Sequence, residues 1–309
     1  MRQAITVLSV SVAFLMGCEA VSSAVGAARD TTVAEVLGLG PDLPCDVDRY
    51  EAKRMTGAYL RVVDGSLGGT TIAVTGRVRG GTAPLPRNLE VDDSKIRGIS
   101  AGADGILGGR KRSSATPISA LNVRGSLPLA YDLRYRADGV DYSGPLVVGI
   151  PPLQDDVPLL GQAVRAGSVR ISYVSVMQDG TLQTTQAIGD FAMQIGYGSG
   201  RAVFTASNFQ VQSGPQLPFA RMRWTRLGLC GARLVSTGQG VLTMYDARGG
   251  RVPVFGANAD PTAGTLLFEA SQFAAGETTN APTDVGGVFA VQGDVSSVTA
   301  VFLSRGSKT

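Results

Sequence analysis

Runs of β-branched and aromatic residues, each closed by a glycine-bearing turn, recur along most of this chain and leave little room for helices. Ala58-Tyr59-Leu60-Arg61-Val62-Val63 ends at Asp64-Gly65, and Thr70 to Val78 ends at Arg79-Gly80-Gly81. Leu129-Ala130-Tyr131-Asp132-Leu133-Arg134-Tyr135 alternates apolar and polar residues, as a strand with one buried face does. It turns at Asp138-Gly139 and returns as Val140 to Ile150, a hairpin signature. Further on the punctuation becomes nearly regular. Val169 to Val176 turns at Gln178-Asp179-Gly180, and Phe191 to Tyr197 turns at Gly198-Ser199-Gly200 into Ala202 to Phe209. Leu234 to Ser236, Val241 to Tyr245, Val252 to Phe255, Leu266 to Ala270, Val288 to Val291 and Val298 to Leu303 follow. Short turns without crossover helices imply antiparallel pairing. About eight such strands avoid exposed edges best by closing into a barrel, with a two-sheet sandwich as the alternative. The 41 glycines and a charged fraction of only 17% suit this all-β reading.

The first residues follow a different rule. Met1-Arg2-Gln3 carries one positive charge, and Ala4 to Leu15 is apolar but too short to span a bilayer, which takes roughly 20 residues as a helix. Its length and flank are those of the hydrophobic region of a signal peptide. Leu15-Met16-Gly17-Cys18 then resembles the lipobox of bacterial lipoproteins. That resemblance implies cleavage before Cys18 and acylation of its sulfur and new amine. Several acyl chains anchor far more firmly than one. An ordinary secretory signal containing a cysteine is the alternative. Glu19 follows, rather than an inner-membrane retention Asp, so the expected partner is outer-membrane lipid. Residues 18–45 read as a small, polar tether. With Cys18 lipidated, Cys45 and Cys230 remain, a disulfide candidate in an oxidising compartment, the alternative being two buried free thiols.

Composition removes several chemistries. The chain has no histidine, which excludes Ser-His-Asp and Cys-His catalysis, histidine metal sites and histidine-ligated haem. A net charge of +3 gives no electrostatic support to nucleic-acid binding. Asp155-Asp156, and Asp46, Asp48 and Glu51, lack the spaced oxygens of a calcium loop, so no metal and no cofactor is expected. Gly196-Tyr197-Gly198-Ser199-Gly200 lacks the Lys-Ser/Thr end of a phosphate loop and the flanking glycines of a nucleophile elbow, and reads as a hairpin turn. Hydrolysis by a carboxylate pair needs no histidine and stays open, with no convergent acidic pair visible. The basic cluster Arg110-Lys111-Arg112 reads as a solvated loop tip. One segment stands out for contact: Arg221, Arg223, Trp224 and Arg226, with the only tryptophan of the chain among three arginines, residue types enriched at binding hot spots. In a strand, Arg221 and Arg223 share one face while Met222 and Trp224 share the other. Trp224 as a plug in the barrel core, with solvated arginines, is the competing reading.

A second resemblance covers roughly Ala166 to Arg305. Phe191 to Thr205, a strand, a small-residue turn and a second strand, is similar to a hairpin of the transferrin-binding-protein-like group of bacterial surface lipoproteins. Phe268-Glu269-Ala270-Ser271-Gln272-Phe273-Ala274, then Asp284-Val285-Gly286-Gly287-Val288-Phe289-Ala290, resemble that group's closing segment, and Val301-Phe302-Leu303-Ser304-Arg305 its last strand. The group's Tyr-Gly-Pro before the acidic position is replaced by Ala274-Ala275-Gly276, and Thr56 to Gly149 does not match its handle domains. The resemblance implies an eight-stranded C-terminal barrel and a surface-binding role, without naming a ligand. Independently of it, Gly286-Gly287 permits a bulge or corner where a strand bends around a small barrel. The expected organisation is therefore a signal peptide over 1–17, the lipidated tether, an N-terminal β-sandwich-like domain over 46–150, a proline-broken linker over 151–165 and a small antiparallel eight-stranded β-barrel over 166–309. The expected role is a lipid-anchored, outer-membrane, cell-surface protein that binds a protein or small-molecule ligand and is not an enzyme. A structural or assembly lipoprotein facing the periplasm is the alternative.

Overall fold

A computed structural model describes residues 54–63, 69–77, 88–91, 100–101, 107–108, 114–122, 127–137, 139–152, 156–236, 241–254, 265–276, 279–293 and 295–304. The signal peptide, Cys18, the tether with Cys45, the acidic residues Asp46, Asp48 and Glu51, Asp155 and the basic loop Arg110-Lys111-Arg112 lie outside them.

The described chain is all-β and forms two main sheets. The first holds β1 (Arg54–Val63), β2 (Gly69–Arg77), β3 (Asn88–Val91), β6 (Ser114–Pro117), β7 (Leu129–Ala137) and β8 (Val140–Gly149), in the antiparallel order β3-β2-β1-β8-β7-β6. Two short strands, β4 (Ser100–Ala101) and β5 (Leu107–Gly108), pair with each other. The hairpin expected at Asp138-Gly139 is present, with Gly139 at φ 82°, where a side chain would be strained. Asn122 lies just past a turn. Its side chain stands in for a neighbouring strand: Nδ2 donates to the Ala130 carbonyl and Oδ1 accepts from the Ala130 amide.

The second sheet is the barrel, built from β9 (Gln162–Val176), β10 (Leu182–Gly196), β11 (Arg201–Ser213), β12 (Arg221–Cys230), β13 (Arg233–Val235), β14 (Val241–Tyr245), β15 (Thr265–Gly276), β16 (Thr279–Gln292) and β17 (Ser296–Ser304). The sheet closes because β11 pairs with β12 while β17 pairs with β9. β13 and β14 pair with successive lengths of the same edge of β12 and act as one interrupted stave. Nine strands thus make the eight staves that the chain's turn spacing implies. Closure satisfies the backbone groups that an open edge would expose.

The barrel interior is solid. Phe204, Trp224, Phe268, Phe289 and Phe302 are all fully buried and meet ring to ring, with Phe204 4.8 Å from Phe302 and Trp224 5.1 Å from Phe268. Among the described residues, these rings fill the part of the barrel interior they occupy, where wider barrels enclose a ligand. Gly286-Gly287 does fold work, but not the bulge expected of it. Both residues stay in regular register with β15 and β17, and the irregularity falls between Phe273 and Ala274. What requires glycine is close approach: a Cβ on Gly287 would stand 2.4 Å from the Glu269 carbonyl oxygen and from the Ala270 Cβ.

The first sheet lies face to face on the outer wall of β15, β16 and β17. Ala58, Leu60, Ala130 and Val147 of the sheet pack with Phe273, Val288, Ala290, Val301 and Leu303 of the wall in one buried cluster. The N-terminal strands thus form one six-stranded sheet rather than a sandwich of their own, and the barrel wall is the layer it packs on. The sheet's opposite face, with Tyr59, Tyr131, Leu133, Leu146 and Val148, is buried as well. Burial pushes the Tyr131 phenol up to about 12.

Candidate functional site

With β15 to β17 covered by the sheet, the part of the barrel wall left open by the described residues is the side formed by β10, β11, β12 and β14. Alternation along β12 decides what this wall shows. Arg221 and Arg223 point out, whereas Met222 and Trp224 point into the core. Trp224 is fully buried among Phe268 and Phe289, so it leaves the contact set that its sequence neighbourhood suggested: the tryptophan fills the core and only the arginines are presented.

Arg226 shares sequence parity with Met222 and Trp224, and strict alternation would turn it inward. Instead it is exposed. The register against β11 slips between Ala202 and Phe204, and Arg226 takes φ 60°. This is a β-bulge, which inserts an extra residue and re-aims the strand's side chains. Past it, Leu227 and Leu229 resume the inward row.

The arginines are set in a polar frame. Arg221 lies opposite Ser207 on one neighbouring strand and Tyr245 on the other; Arg223 lies opposite Thr205 and Thr243. The Arg221 guanidinium stands 4.5 Å from the centre of the Tyr245 ring, a cation–π contact that holds the cation without neutralising it. No ion pair engages Arg221 or Arg223 among the described residues. Two cations in one row, flanked by hydroxyls, make a surface fitted to carboxylates or other anions.

Other sequence candidates settle elsewhere. Cys230 ends β12 and is buried. The Gly196–Gly200 segment is the β10–β11 hairpin turn, held by the Ser199 hydroxyl donating to the Gly196 carbonyl and by the Gly200 amide donating to the Tyr197 carbonyl. Glu269 is committed to Arg233 at 2.9 Å; burial raises its carboxyl above the usual range, and Arg233 opposes that rise. No group of three or more metal-ligating side chains is found among the described residues, nor any helix long and apolar enough to cross a membrane.

A second feature, which no local sequence signal marks, is a cleft of about 440 Å3 where the sheet diverges from the barrel wall. Along β7 and β8 the facing row passes from Ala130 and Val147, deep in the shared core, to Asp132 and Pro145, then to Arg134 and Ser143 at the mouth. The facing wall changes in step, from Val301 to Thr299 and Ser297 on β17. Arg170 of β9 crosses the gap. Its Nη1 donates to Asp132 Oδ2 at 2.7 Å and its Nη2 to Asp132 Oδ1, a two-pronged ion pair between sheet and barrel.

No family model matches the chain, and no curated protein matches its sequence. Among solved structures, a transferrin binding protein B double mutant from Haemophilus parasuis Hp5 is 12% identical with a TM-score of 0.43, the match covering 82% of this chain and 45% of that one. Intact Ap-TbpB, with its N and C lobes, is 10% identical with a TM-score of 0.41, covering 81% and 46%. The isotype 1 transferrin binding protein B from serogroup B Neisseria meningitidis is 13% identical with a TM-score of 0.42, covering 82% and 44%. The chain spans less than half the length of these proteins, and its similarity to them is one of β architecture.

Proposed function

We propose that this chain is a lipid-anchored lipoprotein of the bacterial outer membrane that captures a protein partner at the cell surface through the open wall of its barrel. The observation that carries the proposal is the row of Arg221 and Arg223 on that wall, outward and outside any ion pair among the described residues. Anionic groups on a partner complement such a row, and arginine is well represented among residues that dominate interface energetics. The lipobox-like Leu15-Met16-Gly17-Cys18 supports the anchor, and the sequence resemblance to transferrin-binding-protein-like lipoproteins supports surface capture. Transferrin itself is not implied. The packed barrel core supports a role at the outside of the barrel. We further propose that Cys45 pairs with Cys230, tying the start of the anchored chain to the end of β12; the disulfide-bonded state of Cys230 supports this.

Protease shaving of intact cells tests the location. Digestion of the body beyond Cys18, with a periplasmic control intact, is the expected result. Digestion only after permeabilisation would overturn surface exposure and leave the assembly role facing the periplasm. Capture of partners with the wild-type chain and with Arg221→Ala/Arg223→Ala then tests the wall: a partner retained equally by both would remove the arginine row from the interface.

A further inference from the structure

We propose that the cleft between the N-terminal sheet and the barrel is a binding site for a small acidic sugar, separate from the arginine row on the open wall. Its volume of about 440 Å3 falls within the ordinary range for small-molecule sites and is too small for a protein segment of any length. The charge balance selects an anion. Among the described residues lining the cleft, Asp132 is the only carboxylate, and Arg170 neutralises it through the two-pronged pair. Arg134, exposed at the mouth, has no ion pair or hydrogen bond among the described residues, so one positive charge is left over.

The floor selects hydroxyls. Gln186, Ser172 and Thr299 lie side by side on β10, β9 and β17, in direct register across three neighbouring strands. Neighbouring strands lie about 4.8 Å apart, so three groups that each donate and accept are spread at regular intervals over roughly 10 Å. That array matches a rigid ligand carrying several hydroxyls. Among the described residues no aromatic ring lines the cleft, so they offer no stacking platform of the kind a nucleobase would use. A carboxylate or phosphate would sit at Arg134, with ring hydroxyls over the Gln186–Ser172–Thr299 row and on the free lone pairs of Asp132.

Isothermal titration of the full chain with D-glucuronate, glucose 6-phosphate, glucose and inorganic phosphate tests the proposal. Both acidic sugars are expected to bind, about tenfold or more tightly than glucose. Arg134→Gln, at an exposed position that threatens no core packing, should weaken both by about tenfold. Thr299→Val should weaken both sugars about threefold or more while leaving inorganic phosphate unchanged. Arg223→Ala on the open wall should change none of these, which separates this site from the surface-capture reading. Absence of saturable binding by either acidic sugar overturns the proposal. So does binding indifferent to Arg134→Gln, or inorganic phosphate binding as tightly as glucose 6-phosphate, because the hydroxyl row would then contribute nothing.

Discussion

Trp224 and Arg223 are adjacent in sequence and opposite in consequence. Trp224 sits among Phe268 and Phe289 with no solvent exposure, so Trp224→Ala is expected to destabilise by about 3–5 kcal/mol, read as a shift of the urea midpoint. As the only tryptophan, it also reports its own burial: native fluorescence should resist acrylamide quenching until the barrel unfolds. Arg223→Ala on the outer face should change stability by less than about 0.5 kcal/mol and reveal itself only in partner capture. Tyr131 gives a pH signature. Its phenol keeps its proton up to about 12 in the folded state against an ordinary 10.0, so the folded chain binds more protons than the unfolded one in that window. Stability from this group is complete below 10 and lost as pH rises toward 12. Tyr131→Phe should flatten the alkaline loss seen in denaturant titrations at successive pH values.

Two strands show where alternation stops predicting orientation. On β12 the bulge at Thr225 and Arg226 swaps the parity of the strand, and on β11 a second slip places Asn208 at φ 57°, with its amide donating to Asp190. Opposite that second slip, a Cβ on Gly189 would stand 2.6 Å from the Ser207 carbonyl oxygen and 2.7 Å from the Phe209 ring. Gly189→Val is therefore expected to destabilise by about 1–3 kcal/mol, and Arg226→Val by a similar amount because a β-branched residue is poorly suited to φ 60°; thermal melts of both variants check this. These bulges also mark how far the sequence can be read. The all-β class, the β7–β8 hairpin, the Gly196–Gly200 turn and the split between Arg221/Arg223 and Met222/Trp224 all follow from period-two patterning and turn residues. The first half of β10, Leu182 to Ile188, does not stand out, because its outward positions carry polar residues such as Thr184 and Gln186 and its inward ones a threonine and an alanine. Val252 to Val254, with the residue pattern of a strand, joins no ladder: an isolated bridge precedes it at Arg251, the Val252 amide donates to the Met244 carbonyl, and the Val254 carbonyl accepts from the Ser296 hydroxyl. The cleft is invisible for a different reason: Arg134, Ser172 and Thr299 come from three strands that meet only after the barrel has closed.

At the scale of the molecule, the Arg170–Asp132 ion pair, a backbone hydrogen bond from the Ala274 amide to the Ile150 carbonyl and an apolar seam join sheet to barrel among the described residues. Arg170 and Asp132 remain partly solvated, at 25% and 40% side-chain exposure, so their coupling in a double-mutant cycle of Arg170→Gln and Asp132→Asn should be about 1 kcal/mol or less. The seam holds the two parts together more strongly. Phe273, Val288, Val301 and Leu303 point away from the barrel axis, toward Ala58, Leu60 and Val147. A barrel of this kind has an outside that is itself a core. Severed from its sheet, residues 156–309 would present those four side chains to water as a contiguous sticky strip and would self-associate, while the sheet alone would lose its floor. Heating the intact chain should accordingly give one cooperative transition, with calorimetric and van't Hoff enthalpies in agreement, rather than two melting steps. This makes folding an all-or-nothing event: the strand that closes the barrel, β17, also brings Val301 and Leu303 to the seam, so neither half is finished until β17 is in place.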